Sequence, residues 1–287
     1  MLEIHNIYKS YGKINALCGL SFNVGDGVYG LLGPNGSGKT TLMNILTNNI
    51  KLDSGIILFN GEKFCADNRS FRSIIGYMPQ YCEMIPEFTC VEFLNYMAIL
   101  KELELKSAEK QIKTLLERFE LDDVMYRKIS SFSGGMKQRL MLIQAFLGDP
   151  KLILLDEPTA GLDPKQRILV KNFISEQSLG KTIIIATHII ADIERIAKEI
   201  ICLKKGEAIF CGDTNSLKSI ADGIVWSYDG INNEIEEIKT RFHVVSINGE
   251  DEKVQFRILS KDKPFENAVE LIPSLEDAYM MLYGDGR

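Results

Sequence analysis

The stretch Gly33-Pro34-Asn35-Gly36-Ser37-Gly38-Lys39-Thr40 fits the spacing G-x-x-x-x-G-K-[ST], and its reading governs the rest of the chain. A polyphosphate needs several backbone N–H groups converging on it, and glycines allow so tight a turn without Cβ clashes. The apolar run Gly27–Leu32 predicts a strand before the loop, and a helix is expected from Lys39. The dipole of that helix adds positive potential where the loop ends. Lys39 would reach the β- and γ-phosphates of a nucleotide, Thr40 would hold Mg²⁺ through its hydroxyl, and Thr41 would lie beside the α-phosphate.

Such a site needs carboxylates, and Leu152-Ile153-Leu154-Leu155-Asp156-Glu157 offers them at the end of a four-residue apolar run. A strand of this kind buries its body and presents the acids at its C-terminal end, where ligands of open parallel sheets bind. Asp156 would coordinate Mg²⁺ through water, and Glu157 would polarise the water that attacks the γ-phosphate. Thr182–Ala186 is a second continuous apolar run; neither alternates, as suits parallel strands covered on both faces.

The 287 residues suggest about two domains, and 45% hydrophobic with 25% charged side chains is ordinary for a globular chain. The net charge of −6 resides in the tail: residues 215–287 carry 8 basic and 14 acidic side chains, whereas residues 1–214 balance at 25 of each. No basic stripe of the kind that binds nucleic acid is present. The six cysteines, at 18, 65, 82, 90, 202 and 211, form no C-x-x-C pair and suit a reducing cytosol. The N-terminus MLEIHNIYKSYG does not resemble a signal peptide, and no apolar run approaches the ~20 residues that span a bilayer. Any membrane-spanning part is therefore expected on another chain.

Further strands are expected at Leu2–Tyr8, Gly19–Val24, Gly55–Phe59 and Ile74–Tyr77, followed by a helical insert over about residues 81–148. Within the insert, Thr89 and Glu92 have capping-box spacing, and Ser107 precedes Ile112, Leu115, Leu116 and Phe119 at helical intervals. Helices Pro164–Gln177 and Ala191–Ala197 would cover the parallel strands. Beyond Asp213–Ser216 the order strand (Ile224–Tyr228), helix (Asn233–Phe242), strand (His243–Ile247), strand (Lys253–Leu259), helix (Ser274–Leu282) predicts a small α+β domain over residues 215–287.

Phe132-Ser133-Gly134-Gly135-Met136 opens a further helix ahead of the acidic strand, again placing a hydroxyl and glycines at a helix N-terminus. Taken with the two motifs above, it makes residues 2–214 resemble the ATP-binding cassette (ABC) family. The resemblance implies a P-loop NTPase α/β core with a parallel sheet, an antiparallel β subdomain and the helical insert. It also implies a head-to-tail dimer, either of two copies or of this chain and a relative, in which Ser133, Gly134 and Gly135 close over the nucleotide of the opposite subunit. By the same resemblance Tyr11 stacks on adenine, Gln80 touches Mg²⁺ and water, the loop ending at Asp163 crosses the interface, and His188 contacts the γ-phosphate. Phe132 and Met136 depart from the commonest signature, where leucine and glutamine stand, and Met136 lacks the side-chain amide.

The implied activity is ATP hydrolysis with Mg²⁺, driving a separately encoded permease from the cytoplasmic face of the cell membrane. The permease would dock near Tyr81–Met97, where Tyr81, Met84, Ile85, Pro86 and Phe88 form an apolar-rich stretch. The tail Pro273-Ser274-Leu275-Glu276-Asp277-Ala278-Tyr279 resembles that of cassettes serving bacterial drug, antimicrobial-peptide and polysaccharide exporters, which implies export. Ser274 and Asp277 also read as an ordinary capping box. A soluble cassette ATPase acting on a non-membrane partner is the competing reading. Such translation factors carry two cassettes per chain and chromosome machines carry long coiled coils, and this chain has neither.

Overall fold

In the computed structural model, which describes residues 1–64, 69–81, 84–250 and 253–284, the two non-alternating runs lie side by side as interior strands of a six-stranded sheet. Cys65 and Cys82 fall outside the described residues. The chain begins β1 (Leu2–Tyr11), β2 (Ile14–Val24), β3 (Gly27–Leu32), α1 (Lys39–Leu46), β4 (Ser54–Phe59), β5 (Glu62–Lys63), α2 (Arg69–Ile74) and β6 (Ile75–Met78). The insert helices α3 (Cys90–Leu100), α4 (Leu105–Arg118) and α5 (Gly134–Phe146) come next. After them run β7 (Leu152–Asp156), α6 (Pro164–Glu176), β8 (Thr182–Thr187), α7 (Ile190–Ile193), β9 (Glu199–Lys204) and β10 (Glu207–Gly212).

The six-stranded sheet has the order β10-β9-β3-β8-β7-β6, with β3, β6, β7, β8 and β9 joined by parallel pairings. Every residue of β7 and β8 is buried, because helices or the second sheet cover both faces. Leu152 and Leu154 of β7 point into a core shared with Leu42, Met43 and Leu46 of α1 and with Leu2, Ile4, Leu20, Phe22 and Ile57. The last five come from the antiparallel sheet β2-β1-β4-β5. Each such leucine gains roughly 1.5–3 kcal/mol from leaving water, which fixes α1 against the strand ends. The glycine loop is thereby held opposite the end of β7.

Helix α3 begins with the expected capping box, in which Thr89 Oγ1 accepts from Glu92 N and the Glu92 carboxylate accepts from Thr89 N. Helix α4 starts earlier than the Ser107 pattern implies: the Glu104 carboxylate accepts from Lys106 N and Ser107 N, so a longer acidic side chain supplies the cap. Helix α5 lies directly on β6, where a Cβ on Gly76 would come within 2.0 Å of Ala145 O. Only glycine permits that approach, and Gln144 Nε2 adds a hydrogen bond to Tyr77 O at 2.5 Å.

The helix expected at Ala191–Ala197 is the single turn Ile190–Ile193, because Lys198 N already donates to Val28 O at 2.7 Å and the chain must join the sheet as β9. Strands β9 and β10, absent from the sequence reading, meet through Lys205 and Gly206, whose φ values of 51° and 84° fit a primed hairpin turn.

The chain forms two compact units, Met1–Cys211 and Gly212–Arg287. The second comprises α8 (Thr214–Lys218), β11 (Val225–Ile231), α9 (Ile235–Arg241), β12 (His243–Glu250), β13 (Lys253–Leu259), β14 (Val269–Glu270) and α10 (Leu275–Tyr283). Its antiparallel sheet runs β12-β13-β11-β14 over a core of Ile238, Val254, Phe256 and Ile258. Arg257 grips the buried Asp277 with two hydrogen bonds of 2.7 and 2.6 Å, and Asp277 also closes the Ser274 capping box. Burial pushes the Asp277 carboxyl up, but Arg257 and Ser274 together hold it below the usual carboxylate range. Structural duty thus accounts for both Ser274 and Asp277.

Candidate nucleotide and catalytic site

The glycine loop joins β3 to α1, and its glycines serve different ends. A Cβ on Gly33 would lie 2.5 Å from Leu203 O, and one on Gly38, at φ 109°, would lie 2.7 Å from Ala16 O. Those two glycines let the loop pack against the body of the fold. Gly36, at φ 79°, faces open space, so a side chain there would project into the cleft over the loop. Helix α1 has no side-chain cap and no acid in its first turn, which leaves its N-terminal amides open to an anion. The Ser37 hydroxyl is buried beneath the loop, with no hydrogen-bond partner among the described residues.

Lys39 is 7% exposed, and its ammonium donates to Gly33 O at 2.6 Å and Pro34 O at 3.1 Å. Burial pushes it below the ordinary lysine value, while Glu157 and then Asp156 pull the other way. Thr40 Oγ1 donates to Asp156 Oδ2 at 3.1 Å. Asp156 is 2% exposed; burial raises its carboxyl and Glu157 adds to the rise, against the Thr40 hydrogen bond and Lys39. These contacts bring residues 116 positions apart in sequence into one constellation.

Glu157 follows as a non-glycine residue at φ 52°, immediately before Pro158, a combination that costs on the order of 1–3 kcal/mol. The residue is 4% exposed, and its carboxylate is held at three points. Thr187 Oγ1 donates to Oε2 at 3.0 Å, His188 N donates to Oε1 at 3.1 Å, and His188 Nδ1 lies 2.7 Å from Oε1. The chain just past β7 and the end of β8 with His188 therefore form one unit, with Glu157 N donating to Ala186 O at 2.9 Å.

A cleft of about 250 Å³ is lined by Tyr11, Asn35, Gly36, Gly38, Lys39, Thr40, Thr41, Gln80, Asp156 and Glu157. All ten were singled out in the sequence; Ile14, Asn15 and Ala16 complete the lining and were not. Tyr11 is 47% exposed, with Lys9 Nζ 5.7 Å from its ring centre. A broader concavity of about 1240 Å³ in the C-terminal unit, lined by Tyr228, Glu234, Lys253 and Gln255 among others, has neither a glycine loop nor a buried acid pair. The chemistry points to the smaller cleft.

Ser133, Gly134, Gly135 and Asp163 do not line that cleft. Within this chain Ser133 caps α5, accepting from Met136 N at 3.3 Å, and Asp163 caps α6, accepting from Gln166 N at 2.9 Å. Ser133, Gly134 and Asp163 are exposed, and a Cβ on Gly134 would meet nothing within 4 Å. Gln80 belongs to two clefts. The second, about 540 Å³, is lined by Pro79, Gln80, Tyr81, Met84, Pro86, Ile129, Lys137, Gln138 and Met141, with Tyr81 85% exposed. Phe88, grouped with Tyr81 in the expected docking stretch, does not line this cleft and packs edge-on against Tyr96 at 5.8 Å. Gln138, to which the signature-like stretch assigns no role, donates from its amide to Glu157 O at 2.8 Å. An amide one turn past a glycine-rich cap was its only signal.

Among the described residues no cluster of three His, Cys, Asp or Glu side chains could hold a metal alone. The donor set present suits Mg²⁺ all the same. Thr40 and Asp156 offer hard oxygens 3.1 Å apart, Gln80 lines the same cleft, and Mg²⁺ ordinarily takes one or two protein ligands plus phosphate oxygens and water.

The sequence profile of the ABC transporter family matches residues 17–160. An uncharacterised ABC transporter ATP-binding protein of Bacillus subtilis, YxlF, is 36% identical over 219 residues, covering 76% of this chain and 72% of its own. The Nod factor export ATP-binding protein I of Rhizobium etli is 32% identical over 294 aligned positions, covering 99% of this chain and 93% of its own. Among solved structures, an ATP-binding subunit of an ABC transporter superposes with a TM-score of 0.71 at 29% identity, covering 77% of this chain and 92% of that one. The dimeric post-hydrolysis state of the cassette MJ0796, bound to ADP and Pi, superposes at 0.65 and 29% identity, covering 74% and 98% respectively.

Proposed function

The chain belongs to the ABC transporter family of ATP-binding cassettes, and from that premise we propose that it binds and hydrolyses ATP to drive a separate membrane permease that exports its cargo. The observation that carries the reading is the meeting of Thr40 with Asp156 at 3.1 Å beside buried Lys39 and Glu157. That constellation offers a cation for phosphate, hard oxygens for a divalent ion and a carboxylate for water, at one end of one sheet.

In the proposed cycle Tyr11 stacks on the adenine, and Gly33, Asn35, Gly36, Ser37 and Gly38 shape the loop whose amides face the phosphates. Lys39 leaves the carbonyls of Gly33 and Pro34 for the β- and γ-phosphates, and Thr41 lies beside the α-phosphate. Thr40, Asp156 and Gln80 would hold Mg²⁺, which when bound neutralises negative charge on the phosphate oxygens. Glu157, aimed by Thr187 and His188, accepts the proton of the attacking water. His188, whose ring is more than half exposed while Nδ1 holds Glu157, is free to turn its other nitrogen to the γ-phosphate.

The exposed Ser133, Gly134 and Asp163 suit contact with the nucleotide of a second copy, completing each site across a dimer together with Gly135. The Tyr81 cleft would receive a short helix of the permease at the cytoplasmic face of the membrane, and Gln80 would report its occupancy to the nucleotide. Among the described residues no helix is long and apolar enough to cross a membrane. Export is supported by the tail, which aligns along its length with the Nod factor export subunit. The purified chain is expected to hydrolyse ATP, and detergent extraction of the tagged chain to bring an integral-membrane protein with it. A chain that binds no ATP, or is extracted alone, would contradict the proposal.

A further inference from the structure

The peptide of Glu157 is the most constrained point of the site. Its φ of 52° is a left-handed value in a residue that has a Cβ and precedes a proline, and such a conformation persists only where neighbours over-determine it. The backbone is held by Glu157 N donating to Ala186 O, by Ala160 N donating to Glu157 O at 3.2 Å, and by Gln138 Nε2 donating to the same oxygen at 2.8 Å. The first two bonds lie within the strand pair and its own turn. Only the third reaches Glu157 from the insert, from the second turn of α5, five residues beyond Ser133. Half-buried Gln138 also forms part of the wall of the Tyr81 cleft.

We propose that Gln138 is a positioning residue for Glu157: its amide anchors the strained peptide that aims the carboxylate, and ties that aim to α5. The inference rests on Glu157 acting as the base, as proposed above. Rotating one peptide moves the carboxylate through its whole side-chain length, so a small relaxation at Glu157 O displaces Oε1 and Oε2 by more. Geometric errors of about 1 Å at a reacting group cost on the order of 100-fold in rate. ATP affinity, set at the glycine loop, should not register the change. Since Ala160 N keeps the carbonyl partnered, removing the amide should leave the fold intact.

The test uses the full chain with Gln138→Met, which keeps the length, and Gln138→Glu, which keeps the shape and loses the donor. Each should lower kcat for ATP at least tenfold with KM within twofold of wild type. In a Glu157→Gln background, adding Gln138→Met should change the residual rate less than twofold. Wild-type kcat in either folded variant would overturn the inference, as would an undiminished fold-loss in the Glu157→Gln background. If Gln138→Met does not fold, Gln138→Glu carries the measurement alone. Wild-type kcat in Glu157→Gln itself would overturn the reading of the base and this inference with it. A dead Glu157→Gln beside a fully active Gln138→Met would overturn only the inference.

Discussion

Replacing Asp156 by Asn should separate folding from nucleotide binding. In the free protein this carboxylate is nearly inaccessible, and its raised pKa, caused first by burial and then opposed by Thr40, means that the native state holds the charge at a cost. Because the folded pKa lies above the unfolded one, stability falls as pH rises through that window and is fully reduced at neutrality. Asparagine has the same shape, removes the charge and can still accept from Thr40 Oγ1, so the free variant should lie within about 1 kcal/mol of wild type and on the stable side.

Ligand linkage should change in the opposite sense. At ATP a hundredfold above Kd, binding stabilises by about 2.7 kcal/mol, and at roughly 2–4 °C per kcal/mol this raises Tm by about 5–10 °C. A hundredfold loss of Mg-ATP affinity leaves about 0.4 kcal/mol, or roughly 1 °C. Thermal melts of both proteins, with and without Mg-ATP, read the free and bound states together. An Asp156→Asn chain that melts well below wild type without ligand, or gains as many degrees with it, would refute the reasoning.

Other expectations follow from single contacts. Gly33→Ala places a Cβ 2.5 Å from Leu203 O, a backbone atom that cannot swing away, so Tm measured by circular dichroism should fall by roughly 2–10 °C. Lys101 Nζ donates to Gln144 O at 2.8 Å and Leu147 O at 2.9 Å at the end of α5, and burial pushes its pKa from 10.5 down to about 8. Between those values the unfolded chain binds more proton, so stability rises with pH from about 8 to 10.5. Urea midpoints of Lys101→Met should lack that rise, and an unaltered slope would count against the assignment. Tyr81→Ala should leave ATP turnover of the isolated chain within twofold while lowering transport by the assembled complex. An equal loss in both assays would show that Tyr81 supports the fold instead.

Where apolar runs are bounded by turn residues, sequence and structure agree to the residue: Gly27–Leu32 and Lys253–Leu259 are strands with those limits. Thr89–Glu92 and Ser274–Asp277 were legible because a cap is local chemistry. Asp156 and the glycine loop could be joined in thought because each stands at the end of an apolar strand, and parallel sheets gather such ends on one side. Strands β9 and β10 were overlooked even though Lys205-Gly206 is a turn signal between them, since the β9 run Ile200–Leu203 is no longer than many helix faces. Glu104 was missed because its long carboxylate caps the helix three residues before Ser107, where the apparent helical pattern begins. The Gln138 amide, one turn past a glycine-rich cap, was too weak a signal: its partner is a carbonyl, which every residue carries, and only the packing of α5 selects Glu157 O.

A Glu157→Gln chain loaded with Mg-ATP tests the whole scheme in one sizing experiment, because the amide should still bind nucleotide while losing the proton acceptor. The account predicts intact ATP in a species of twice the chain's mass, reverting to single chains when nucleotide is removed. Wild-type turnover, or a particle of one chain's mass still holding its ATP, would contradict it.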